Sequence, residues 1–184
     1  MKKIIIAGGP HTGKTTLLNA LKTEFPDAYF VSEASGTVIE HELGRAKVDP
    51  DYTPIVPWMD YEKFVPLVVE QSIKTESEIP DDVSVAFLDR SLIDNFVYFD
   101  INNFHKFDQE VKKQVAAARY DLVLICEPVG DFEPTEVRRE NAEQATKIHR
   151  LTKEVYQKSG LPIIEIPPVS VIERVAIVKS SCGL

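Results

Sequence analysis

Gly8-Gly9-Pro10-His11-Thr12-Gly13-Lys14-Thr15-Thr16 carries the spacing G-x-x-x-x-G-K-[ST] at Gly8, Gly13, Lys14 and Thr15. Upstream, Lys3-Ile4-Ile5-Ile6-Ala7 is a short apolar run of the kind that forms a strand buried within a parallel sheet. Downstream, Leu17, Leu18, Leu21 and Phe25 recur at helical spacing, so the glycine-rich stretch lies at a strand-to-helix junction. That junction suits a phosphate: glycines let backbone N–H groups curl round an anion, and the helix N-terminus adds positive potential. Gly9, Pro10, His11, Thr12, Gly13, Lys14, Thr15 and Thr16 are therefore read as the residues that cradle the phosphates of ATP. Lys14 would reach the β- and γ-phosphates, and the Thr15 hydroxyl would ligate Mg²⁺. The plain alternative, a glycine turn that binds nothing, fits less well because strand and helix are both in place.

The rest of the chain bounds the setting. With 184 residues, 43% of them hydrophobic, it suits one domain over 1–184 with a sizeable core. The formal net charge of −8 disfavours nonspecific binding to nucleic acid or anionic membranes, and it serves solubility first. Met1-Lys2-Lys3 followed by Ile4 to Ala7 resembles the start of a signal segment. Its apolar part stops at Gly8-Gly9-Pro10, too short for export or for spanning a membrane. Cys126 and Cys182 lie far apart without metal-ligand spacing, so Cys126 reads as core and Cys182 as a tail residue. A cytoplasmic location is expected.

Apolar runs recur at Ile4 to Ala7, Tyr29 to Ser32, Val83 to Leu88, Leu122 to Cys126 and Ile163 to Ile166. Each is followed by a segment of helical character, an alternation that predicts a parallel α/β sheet with right-handed crossovers. Helical stripes are clearest at Phe107, Val111, Val115 and Ala118, and at Ala145, Ile148, Leu151 and Val155, the latter helix ending before Lys158-Ser159-Gly160. Three prolines between Val48 and Trp58 predict a long ordered loop. Pro66, inside the pattern from Tyr61 to Ile79, predicts a helix that is kinked or begins near Val65.

Ligands of open α/β sheets collect beyond the carboxyl ends of the strands. There the sequence places Glu33 after the second run and Asp89-Arg90-Ser91 after the third. Asp89 can hold a water on Mg²⁺ as acids in this position do, or it can cap a helix opening at Arg90. Arg90 can meet a transferring phosphate or a substrate through its guanidinium, or brace the strand end by pairing with Asp89 or Asp94. Glu33 can accept the proton of an attacking hydroxyl, or act only as a first-turn acid on its own helix. After Pro128, Glu136-Val137-Arg138-Arg139-Glu140 opens the helix running to Tyr156. Its arginines are a solvated face or the cations of a mobile lid, expected over about residues 128–145.

Together these segments resemble the P-loop nucleoside and nucleotide kinases, and more closely a NadR-like set of small AAA ATPase/kinase proteins related to ribosylnicotinamide kinase domains. The carriers are Gly8 through Leu17, Ser32-Glu33-Ala34, Leu88-Asp89-Arg90-Ser91, Asp121-Leu122-Val123-Leu124, Arg138, Gly160-Leu161-Pro162 through Ile166-Pro167-Pro168, and Glu173-Arg174-Val175. The resemblance implies a three-layer fold with five parallel strands in the order 2-3-1-4-5 and helices on both faces. It also implies an Asp89-Arg90 pair beside metal and substrate, a lid arginine at Arg138 that touches ATP, and Pro168 bordering the adenine. Members often show D-G-x-R in the lid, whereas this chain has Asp131-Phe132-Glu133-Pro134-Thr135-Glu136-Val137-Arg138, which leaves both Arg138 and Arg139 open.

The expected activity is ATP- and Mg²⁺-dependent phosphoryl transfer to a small metabolite such as a nucleoside, nucleotide or ribosyl compound. Lys14, Glu33, Asp89, Arg90 and Arg138 would be the catalytic residues, Thr15 and Asp89 the metal ligands. The acceptor would lie between Glu33, the Trp58 region, Tyr61 and Arg90. The alternative is an ATP-hydrolysing switch read by a protein partner. Without N-K-x-D or L-S-G-G-Q the chain lacks the marks of a small GTPase or a transporter ATPase, and no basic stripe with interleaved aromatics supports nucleic-acid binding. Neither the acceptor nor the oligomeric state is specified.

Overall fold

The computed structural model describes residues 1–129 and 142–183. Five strands, β1 (Lys2–Ala7), β2 (Tyr29–Val31), β3 (Val85–Asp89), β4 (Leu122–Cys126) and β5 (Ile163–Ile166), form one sheet in the order β2-β3-β1-β4-β5. Every neighbouring pair is parallel, with Ile4 opposite both Phe87 and Leu122. The helices are α1 (Lys14–Glu24), α2 (Ala34–Val48), α3 (Tyr61–Ser77), α4 (Asp94–Asn102), α5 (Asp108–Ala118), α6 (Ala142–Ser159) and α7 (Val171–Cys182).

Alternation along β1 assigns the two faces of the sheet. Ile4 and Ile6 pack with Leu17, Leu18 and Leu21 of α1 and Val178 of α7, whereas Ile5 and Ala7 pack with Val97 of α4 and Ile148 and Val155 of α6. With both faces covered, β1 and β4 are apolar throughout their buried length, as the expected three-layer α/β fold requires. Each such Ile or Leu contributes about 1.5–3 kcal/mol by leaving water. A satellite cluster of Val65, Val69, Leu92, Phe99 and Val111 joins α3, α4 and α5 beyond the sheet edge.

Several expectations need correction. Helix α3 starts at Tyr61 rather than near Val65, with Asp60 accepting the Lys63 N–H as its cap, and Pro66 is accommodated inside it. Helix α6 runs through Ser159, past the expected stop, and Gly160 then takes φ 74°. Cys182 is not a tail residue: it is buried beside Val178 in the α1–α7 face of the core. The loop between α2 and α3 has neither helix nor strand over Asp49–Asp60, as its prolines predict. Among the described residues no helix is long and apolar enough to cross a membrane.

Candidate active site

The loop between β1 and α1 is built from unusual backbone. Gly8 has φ 137°, His11 φ 58° and Gly13 φ 73°, positive values that turn the chain tightly between strand and helix. Gly13 caps α1 without a side-chain hydrogen bond, leaving the first-turn donors of the helix uncapped by any side chain. Lys14 is buried and its Nζ donates to the carbonyls of Gly8 (2.9 Å) and Gly9 (2.8 Å). Burial and the nearby Arg90 charge bring its pKa down to about 8. At neutral pH it still carries its proton about ten to one, and so keeps its charge.

Three residues absent from the expected set hold this loop. Arg174 of α7, buried, donates to the Thr12 carbonyl at 2.7 Å and the Glu127 carbonyl at 3.1 Å. His149 of α6 accepts the Gly9 N–H on Nδ1 at 3.2 Å, while its Nε2 lies 3.2 Å from Glu127. Glu127 in turn holds Lys153 at 2.9 Å. The approach of α6 is so close that a Cβ on Gly9 would sit 2.7 Å from Cβ and 2.9 Å from Cα of His149. Gly9→Ala is therefore expected to lower the stability of the fold by about 1–3 kcal/mol, read as a lower midpoint in chemical denaturation.

Beside the loop, at the carboxyl ends of β1, β2 and β3, opens a cavity of about 350 Å³. Pro10, Lys14 and Thr15 of the loop and the charged Glu33, Asp89 and Arg90 line it, and the rest is largely apolar, with Ile39, Pro57, Phe64 and Phe99 among the walls. Its size is that of a small-molecule site. Lys14, Thr15, Glu33, Asp89, Arg90 and Tyr61 thus line one space. Trp58 does not line it; its neighbour Pro57 does. Pro168 is also outside the cavity, exposed between β5 and α7 at the other edge of the sheet. Arg138, Arg139 and most of the expected lid lie outside the described residues.

The charges in the cavity interlock. Arg90 follows β3 with φ 67°, a conformation costing about 1–3 kcal/mol in a non-glycine residue, while its N–H still bonds the Ile6 carbonyl. Its side chain spans two carboxylates: Nε is 2.9 Å from Glu33 Oε1, and Nη1 donates to Asp94 Oδ1 at 3.2 Å. Arg90 does brace the strand end, through Asp94 rather than Asp89. The same Asp94 accepts the Ser91 N–H at 2.9 Å, so Asp94, not Asp89, ties down the chain entering α4. The capping alternative for Asp89 is thereby removed, since α4 begins five residues later. The signal for Asp94 was present in the sequence as Ser91-x-x-Asp94, the spacing of a helix start. His149 and Glu127 had no such signal.

Burial opposes ionisation of Glu33, yet the charges of Arg90 and Lys14 and the Ser35 hydroxyl hold its carboxyl below the usual range. Asp89 goes the other way. Burial and then the Glu33 charge raise it from 3.8 to about 6, and its Oδ1 is buried without a hydrogen-bond partner. An unpaired buried carboxylate oxygen is costly, and a cation in the cavity would relieve it. With the exposed Thr15 lining the same space, the side-chain oxygens available beside Asp89 are hard donors, which suits Mg²⁺.

The glycine loop, its buried lysine and the strand order define a P-loop α/β domain with the architecture of nucleoside and nucleotide kinases. The family model described as "AAA domain" matches residues 3–174, and the chain belongs to that family. No curated protein matches it by sequence. Among solved structures, deoxyadenosine kinase from M. mycoides with bound dATP aligns at a TM-score of 0.68 and 15% identity, over 100% of both chains. Thymidylate kinase from Ehrlichia chaffeensis aligns at 0.66 and 10% identity, covering 100% of this chain and 98% of that one. The NadR protein in complex with NR aligns at 0.66 and 20% identity over 90% of this chain, which spans 43% of that chain. At these identities the likeness establishes the fold.

Proposed function

We propose that the protein transfers the γ-phosphoryl group of Mg²⁺-ATP to a hydroxyl of an uncharged, nucleoside-like acceptor. The observation that carries this reading is one cavity lined at once by Lys14 and Thr15, by Glu33, Asp89 and Arg90, and by aromatic and aliphatic side chains. Lys14 would sit on the phosphate oxygens; Thr15 and Asp89 would hold Mg²⁺, which neutralises charge developing on the phosphates. The loose transition state of this reaction asks little of a base, so an ionised Glu33 suffices to accept a hydrogen bond from the acceptor hydroxyl and aim it. Arg90, fixed between two carboxylates, would orient the same group.

Charge supports the choice of an alcohol over a phosphate as acceptor. Among the described residues lining the cavity, the cations are Lys14 and Arg90, matched by the carboxylates Glu33 and Asp89. A nucleoside monophosphate would bring two negative charges beside the triphosphate with no further cation among these residues to receive them. Flat aromatic side chains (Tyr61, Phe64, Tyr98, Phe99) suit a ring system instead. The NadR protein and deoxyadenosine kinase, whose fold this chain shares, are consistent with that class. Expression in the cytoplasm, where ATP is available, fits the reading.

The test is product formation by mass spectrometry across nucleosides, nucleoside monophosphates and nicotinamide riboside, with ADP release scored with and without acceptor. Phosphorylation of a nucleoside-type alcohol supports the proposal. Monophosphates as the sole substrates would overturn the charge argument, and hydrolysis stimulated only by a protein partner would select the switch. Glu33→Gln is expected to lower kcat/KM for the acceptor about 10- to 100-fold while ATP affinity stays within about twofold.

A further inference from the structure

Tyr156 is fully buried, hydroxyl included. It lies on α6 and donates to Asp94 Oδ2, with Ser91 Oγ 3.0 Å from the same hydroxyl. Asp94, itself 3% exposed, uses its other oxygen to hold Arg90 Nη1. The hydroxyl is therefore one bond removed from the arginine that faces the acceptor cavity. Seven residues earlier on the same helix, His149 holds the Gly9 N–H of the phosphate loop. That spacing places both side chains on one face of α6, two turns or roughly 10 Å apart.

We propose that Tyr156 is a positioning residue that sets Arg90 through Asp94, and that α6, by gripping Gly9 at His149 and Asp94 at Tyr156, fixes the separation between the phosphate loop and the acceptor arginine. The assignment of Arg90 to the acceptor rests on the function proposed above; its dependence on Tyr156 does not. Asp94 accepts from three donors: Arg90, the Ser91 N–H and the Tyr156 hydroxyl. Removal of the third leaves the carboxylate free to rotate toward the remaining two, and the Arg90 guanidinium follows it.

The experiment compares Tyr156→Phe with Val155→Ala, a neighbouring core truncation that does not touch Asp94. In isotope-labelled arginine NMR spectra, the Arg90 Nε–H resonance is assigned by its loss in Arg90→Lys. Tyr156→Phe should shift it and speed its exchange with water at least about tenfold, leaving the Arg174 resonance in place. Val155→Ala should leave Arg90 unmoved. Asp94→Asn is the second probe, for use if Tyr156→Phe does not fold, and should shift the same resonance. An unmoved Arg90 signal in these variants, or an equal shift in Val155→Ala, overturns the proposal. With a phosphorylated acceptor in hand, Tyr156→Phe should raise its KM about tenfold with KM for ATP unchanged; an equal rise in both would overturn it as well. If no acceptor is phosphorylated, the functional reading fails while the NMR comparison still decides the role of Tyr156.

Discussion

Lys14→Ala should remove most of the stabilisation that Mg²⁺-ATP confers on this protein. At about 100 times its dissociation constant, a ligand specific for the folded state adds roughly 2.7 kcal/mol. In a domain of this size each kcal/mol moves the thermal midpoint by roughly 2–4 °C, so wild type should gain about 5–11 °C. The variant should gain little, and its phosphoryl transfer should fall by about 10²–10³, the cost of losing one preorganised donor to developing charge. The measurement is a thermal melt of both proteins with and without nucleotide, paired with ADP release. Equal shifts in the two proteins would show that the buried ammonium does not meet the phosphates. Loss of the lysine also leaves the Gly8 and Gly9 carbonyls without their donor, so the comparison is made on the shift and not on the midpoint itself.

Asp89→Asn should separate activity from stability in opposite directions. The folded protein holds a proton on Asp89 up to about pH 6, against an ordinary value of 3.8, so in the absence of magnesium the ionised carboxylate is a cost of folding. That cost is fully present above about pH 6, shrinks as the pH falls toward 4, and is gone below it. Asparagine carries no such charge. In magnesium-free buffer at pH 7–8 the variant should be more stable than wild type by about 1–3 kcal/mol, and the two should converge near pH 4. Magnesium-dependent turnover should drop by at least about a hundredfold. Urea unfolding across this pH range, alongside turnover at limiting magnesium, checks both halves. A variant less stable than wild type at neutral pH would mean that the Asp89 charge is paid for by a partner the cavity geometry does not reveal.

What was legible in the sequence follows from how local the cause is. The phosphate loop and its flanking strand and helix could be read because each rests on contiguous residues or short spacings, whereas the strand order came only from the family resemblance. Glu33, Asp89 and Arg90 could be read because the ends of parallel strands are known places to look. Asp94 could be read as one of two carboxylates within reach of Arg90, but the choice between it and Asp89 could not, since that depends on the left-handed turn at Arg90 itself. His149 and Glu127 were invisible for a plainer reason: His149 meets Gly9 from 140 residues away and Glu127 meets His149 from 22, and no periodicity encodes such a meeting. Of the region around Trp58 it is Pro57 that lines the cavity, a distinction that no spacing within a proline-rich loop encodes. Pro66 left two outcomes open, a helix beginning near Val65 or a kinked helix running through it, and the helix runs through it from Tyr61 to Ser77.

Gly9 shows what a sequence pattern leaves unsaid. In G-x-x-x-x-G-K-[ST] the position after the first glycine is a wildcard, and a search with that pattern accepts any of the common amino acids there. In this protein the wildcard is closed, because the backbone of a distant helix occupies the volume in which a side chain would begin. The second glycine of Gly8-Gly9 is thus a record of the crossover helix written into the phosphate loop. Among chains that share the pattern, glycine at this position should travel with a close-packed helix after the fourth strand, and bulkier residues with a helix set further back.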